Sequence, residues 1–197
     1  PVDPPGATSG ADPLALLGWL AVLARSCGCA AVAMDLRAWP FAAAIPGAWM
    51  IALVIVSASA GRDVASPLWG MLAIAGLFAA GAGAAHLARK QAWSTCGALL
   101  LVGAGLAMLP ALPGRSGAPW PVSVARVALD LSPITLVAEC SGVDWMRSAA
   151  VYGPVGSDRF ERTAYSGALA GPLCLVLGCA LWMVAARVSR RRAQQAS

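Results

Sequence analysis

Four stretches of this chain, residues 38–61, 64–88, 91–114 and 163–186, contain no Asp, Glu, Lys or Arg, and each is 24 or 25 residues long. A helix rises about 1.5 Å per residue, so about 20 residues cross the roughly 30 Å of hydrocarbon in a bilayer. Composition sharpens the constraint. Of the 197 residues, 59% are hydrophobic and only 12% are charged, with a mean hydropathy of +0.71. Soluble domains carry roughly 25% charged residues. A water-soluble fold of this size could not cover its surface with so few charges, so a bilayer is the expected solvent.

A fifth candidate, residues 13–34, is long enough to span but carries Arg25 near its middle. The expected fold is an all-α, polytopic transmembrane helix bundle of about five membrane helices, with an external loop of short helices before the last. Pro46, Pro110 and Pro172 fall near span ends or in a first turn, where a missing amide costs little. Long Ala/Gly/Leu runs rule against a membrane β-barrel, which alternates polar and apolar residues over about ten positions. The chain starts at Pro1 rather than Met, so an upstream segment, with a further helix, is expected. The opening PVDPPGATSGADP is polar, has two acids and no base, and does not resemble a signal peptide.

The basic residues orient the bundle. With Arg187, Arg190, Arg191 and Arg192 in the cytoplasm, Arg37, Arg89 and Lys90 fall on the same side, giving seven Lys/Arg in short loops. Six lie opposite, but five of those are spread through the long 113–165 segment, where they count for little. The expected organisation is an external N-terminal segment at 1–12, four transmembrane helices over 13–112, and an external loop with short interfacial helices over 113–165. A last transmembrane helix at 166–187 and a basic cytoplasmic tail at 188–197 complete a multi-pass cell-membrane protein. Ala-, Gly- and Arg-rich usage points to a GC-rich bacterial source, hence a bacterial inner membrane. The arginine tail has no folded basic surface with it, so no nucleic-acid partner is expected.

Several chemistries find no support. No Gly-rich loop ends in Gly-Lys-Ser/Thr, so the chain binds no nucleotide through a phosphate loop. His86 is the only histidine, too few for paired haem ligands or the usual catalytic zinc set. It is expected at an interface, at the cytoplasmic end of span three. Cys27 and Cys29 point about 200° apart on a helix, and Cys174 and Cys179 diverge by about 140°. Cys96 starts span four, and Cys140 has no evident partner. The cysteines are expected to be small hydrophobic filler. No catalytic, cofactor-binding or metal-binding residues are assigned. Small residues four apart, such as Gly167 with Gly171 and Ala79 with Gly83, suit close helix contacts within the bundle or between copies.

Two places remain. Arg25 at mid-bilayer would cost about 2.5–3.5 kcal/mol. Either it faces a polar cavity or partner helix, or residues 13–34 are not one straight span and it snorkels to an interface. The other place is LSPITLVAECSGVDWMRSAAVY, residues 131–152, which sets Glu139, Cys140, Asp144 and Arg147 into nine positions. Ser132 followed by Pro133 starts a helix with a hydroxyl cap and a proline in its first turn. Gly142 suits its end. Asp144 can cap a second short helix closed by Gly153. Trp120 and Trp145 suit a membrane–water boundary.

The Cys-Ser-Gly at 140–142 is similar to the nucleophile motif of exosortases, membrane cysteine transpeptidases. That family also needs an arginine and a histidine on later membrane segments, and no histidine follows Cys140. The order Leu-Ser-Pro, Glu139, Gly142, Asp144, Tyr152 and one last apolar helix resembles the end of ABC-2-type transport permeases, over about 130–187. There an external segment of short helices joins the last two of six membrane helices and caps the passage. The resemblance implies the permease subunit of an exporter, working with a separate ATPase subunit that pushes on cytoplasmic loops around 35–40 and 87–92, in a homo- or hetero-oligomer. The family has six helices against five here, a gap that a helix upstream of Pro1 would close. Arg25, Glu139, Asp144 and Arg147 are the passage or gating candidates, with Glu139 and Asp144 near Arg147 or Arg159. A membrane scaffold or assembly factor without transport is the alternative, and a Cys140-dependent membrane transpeptidase stands behind both.

Overall fold

The computed structural model describes residues 13–34, 47–48, 51, 65–88, 91–109, 121–142 and 167–195. Among these residues the chain is all-helical, without a strand. Its helices are α1 (Pro13–Ala33), α2 (Ala65–Leu87), α3 (Ala92–Met108), α4 (Val122–Leu131), α5 (Pro133–Cys140) and α6 (Gly167–Gln195). Two of them, α2 over Pro67–Leu87 and α6 over Ala168–Arg192, are long and apolar enough to cross a membrane. The apolar stretches Trp19–Ala33 in α1 and Ala92–Met108 in α3 are shorter. The uncharged run 38–61 lies outside the described residues except at 47, 48 and 51, which are helical.

Small residues set the packing. A Cβ added to Gly178 on α6 would strike the Gly76 carbonyl on α2, and one on Gly76 would strike that of Cys174. Without those Cβ atoms the two backbones touch, which gives dispersion contact along the full seam. Gly83 meets Leu181 and Trp182 further along, and Gly171 meets Trp69 at the start. Residue numbers rise together on both helices, so α2 and α6 are parallel. The α1–α2 crossing repeats the device: a Cβ on Gly28 would strike the Phe78 carbonyl, and one on Gly81 that of Arg25.

Helix α1 is also parallel to α2, since Leu20, Ala21 and Ala24 pack with Ala73, Ile74 and Leu77, and Cys29 with Ala85. Helix α3 runs the other way. The turn after α2 is tight, with Gln91 N–H donating to the Ala88 carbonyl at 2.7 Å. Cys29 and Cys96 then brace α1 against α3 reciprocally. The Cys29 thiol donates to the Ala92 carbonyl and the Cys96 thiol to the Ser26 carbonyl, each at 3.4 Å. The helices stand in the order α6, α2, α1, α3 by their contacts. Helix α6 continues without a break through Arg187 and Arg190–Arg192 to Gln195. Cations there suit the negative end of the helix dipole. Pro172 falls in the second turn of α6, where it removes one amide close to the helix start.

Candidate functional site

The stretch opening at Leu131 forms an elbow. Ser132 is extended, with φ −76° and ψ 126°, and separates α4 from α5. Proline imposes this geometry, because it disfavours the α region for the residue before it. Pro133 then occupies the first turn of α5. The expected helix start is therefore in place, but the expected hydroxyl cap is not. Ser132 Oγ makes no cap bond and has no hydrogen-bond partner among the described residues, although the residue is buried. Thr135 braces the elbow instead: its Oγ1 is shared between the Leu129 carbonyl and the Ser132 carbonyl, the latter at 2.9 Å. At the far end Gly142 has φ 66°, the left-handed conformation that glycine tolerates best. Its N–H donates to the Glu139 carbonyl at 3.2 Å, and that of Ser141 to the Val137 carbonyl at 2.9 Å.

Helix α5 is sunk into the bundle. Pro133, Thr135, Val137, Ala138 and Cys140 are buried. Val137 and Cys140 join the core formed by Leu20, Ala21 and Ala24 of α1, Ala73, Ile74 and Leu77 of α2, and Ala170 of α6. These neighbours lie around the middle of α1 and α2 and near the start of α6, and Ser141 meets Gly70 nearer the start of α2, so α5 packs into the half of the bundle away from Arg187–Arg192. Ser141 packs against Gly70 of α2, where a glycine Cβ would collide with its hydroxyl. Ser141 Oγ is buried and also has no partner among the described residues. An unpaired hydroxyl, costing about 1–3 kcal/mol to bury, thus flanks each end of this short helix.

Of the candidate residues, Glu139 is half-buried in the last turn of α5. Asp144 and Arg147 lie outside the described residues, as do Arg159, the second short helix expected after Asp144, Trp120 and Trp145. Arg25 is half-buried at mid-length in α1, beside Ala24 of the core that seats α5. His86 is half-buried in the last turn of α2, at the arginine end.

The cysteines hold what the sequence did not reveal. Cys29 and Cys96 face each other across α1 and α3, each thiol donating to a carbonyl of the other's helix, Ala92 and Ser26 respectively. Cys140 sits near Cys174 and the Gly171 backbone. Equal depth was readable for the first pair, since each lies five residues from the arginine-side end of its apolar run, at 34 and 91. Adjacency of the two helices was not. Burial pushes the Cys140 thiol up to about 12, with Cys174 and Glu139 adding to the rise and the Gly171 N–H opposing it. A thiol so placed stays protonated near neutral pH and is a poor nucleophile. Among the described residues no three His, Cys, Asp or Glu side chains are grouped to hold a metal.

Comparison with protein-family models, with curated proteins and with solved structures returns no match to this chain.

Proposed function

We propose that this chain is a multi-pass membrane protein acting as the permease subunit of an ABC-type exporter, with ATP hydrolysed by a separate protein. The observation that carries the reading is the seat of α5, a short helix sunk between the membrane-length helices in the half of the bundle away from the arginines. A helix in that place acts as a lid rather than as a catalytic element, and the buried, protonated Cys140 in its last turn weighs against the transpeptidase alternative. The parallel course of α1, α2 and α6, with α3 opposed, supports alternating membrane passes, the C-terminus lying on the cytoplasmic side with the arginines. Outward-facing Leu169, Leu173, Val176, Leu177, Met183 and Val184 on α6 support hydrocarbon as its surroundings.

A second reading, a scaffold or assembly factor without transport, is favoured by one feature. The seams α1–α2 and α2–α6 are closed by backbone contact, which leaves no passage between those helices. A passage would then have to lie between copies or beside a partner subunit. The deciding experiment isolates the full-length protein from its native membrane in mild detergent. Co-purification of an ATPase whose turnover changes on adding cargo-bearing membranes supports the exporter. Isolation that repeatedly yields the chain with no nucleotide-binding partner sinks it. Retained activity after Arg25→Ala and Glu139→Ala would point to the scaffold.

A further inference from the structure

The surface of α4 divides into three sectors, and the order of those sectors identifies what covers the third. Successive residues turn by about 100° around a helix. Ser123, Arg126 and Asp130 fall together on one side. Val124, Val127 and Leu131 follow roughly 100° further round, and Ala128 and Leu129 occupy the remaining side. Ala128 and Leu129 are buried, 6% and 1% exposed, so that side faces protein. Val124, Val127 and Leu131 are 47%, 56% and 58% exposed. A helix lying free in water would have its apolar residues on the protein side only. This one turns a second apolar stripe outward, separate from its polar side.

That arrangement fits a helix lying flat at the rim of a bilayer beside a helix bundle, with water above, acyl chains below and protein alongside. Its neighbours agree. The elbow fixed by Thr135 joins α4 to α5, and α5 packs on Leu20 of α1. The adjoining Trp19 on the N-terminal half of α1 is exposed at 54%. The outward apolar face of α6 begins at Leu169, next to Ala170 in the same core. We infer that Val124, Val127 and Leu131 form a lipid-contact surface that seats α4 at the boundary between headgroups and acyl chains, on the side of the bilayer opposite Arg187–Arg192. This rests on the membrane reading above and adds the depth, the face and the partner.

The test uses the full chain in liposomes of mixed zwitterionic and anionic phospholipid. Spin labels are attached one at a time through a genetically encoded keto amino acid, which leaves the native cysteines intact. Positions 124, 127 and 131 are compared with 123, 126 and 130, and with 176 and 177 on α6 as hydrocarbon references. Collision with oxygen, which partitions into acyl chains, should exceed collision with a water-soluble nickel chelate several-fold at 124, 127 and 131. The ratio should reverse at 123, 126 and 130. Labels at 124, 127 and 131 shielded from both reagents would mean a protein occupant, and labels open to the chelate would mean water; either overturns the inference. Chelate access at 176 and 177 as well would instead overturn the membrane reading beneath it.

Discussion

The seam between α2 and α6 and the seat of α5 are both closely packed, but by opposite means. Along the seam, Gly76, Gly83, Gly171 and Gly178 bring backbone onto backbone or onto neighbouring side chains. Around α5 the contacts are made by side chains such as Val137, Cys140 and Ile74, and the two buried hydroxyls of Ser132 and Ser141 lack partners among the described residues. A glycine seam is rigid because nothing in it can rotate aside. A side-chain seat with unpaired polar groups at both ends sits higher in free energy and is easier to leave. The difference separates the two regions by packing: the seam is fixed by backbone contact, and the α5 seat is held by side chains that cost less to rearrange.

The largest effect should come from the seam. Gly178→Leu must displace α2 backbone, and roughly 3 kcal/mol or more of destabilisation is expected, at the top of the range for overpacking. Thermal unfolding in detergent followed by light scattering would show it, and a wild-type melting point would break the comparison. Next is Thr135→Val, which removes the hydroxyl bracing the elbow and should cost about 1–1.5 kcal/mol, read by the same melt.

Ser132→Ala then tests the sign. A serine that caps a helix loses about 1 kcal/mol on this change. Ser132 Oγ makes no such bond, so a gain of about 1 kcal/mol is expected from removing an unpaired buried hydroxyl. Destabilisation would mean that the cap forms after all. The smallest change should be Leu177→Ala on the outward face of α6. Lipid tails are as apolar as leucine, so less than about 0.5 kcal/mol is expected in bilayers, as for an ordinary surface site. A loss above about 2 kcal/mol would show that this face packs on protein.

Much of the framework was legible before the structure. The uncharged runs placed α2, α3 and α6, and Ser132-Pro133 with Gly142 bounded α5, because proline and glycine act on their own backbones whatever surrounds them. The hydroxyl cap was not legible, since a capping bond depends on where burial leaves the side chain. Nor could the cysteines be paired, because Cys29 meets Cys96 across 67 positions of sequence. Glu139 could be placed on α5 but not its half-buried depth, and Asp144 and Arg147 lie outside the described residues. Arg25 was plain as a charge in an apolar run, whereas its position beside the core that receives α5 came from the packing.

By itself the sequence determined an all-helical chain and the bounds of α5. Of the five spans expected from it, two helices among the described residues, α2 and α6, are long and apolar enough to cross a bilayer. Those properties follow from local composition and backbone restriction. Only the tertiary structure decided that α2 lies inside, with 56% of its most apolar window buried, while α6 faces outward, with 22%. Both apolar runs, 64–88 and 163–186, are free of charge, so charge alone does not separate them. Which one becomes the centre is settled by which backbones can approach, and that depends on glycines meeting across distant parts of the chain.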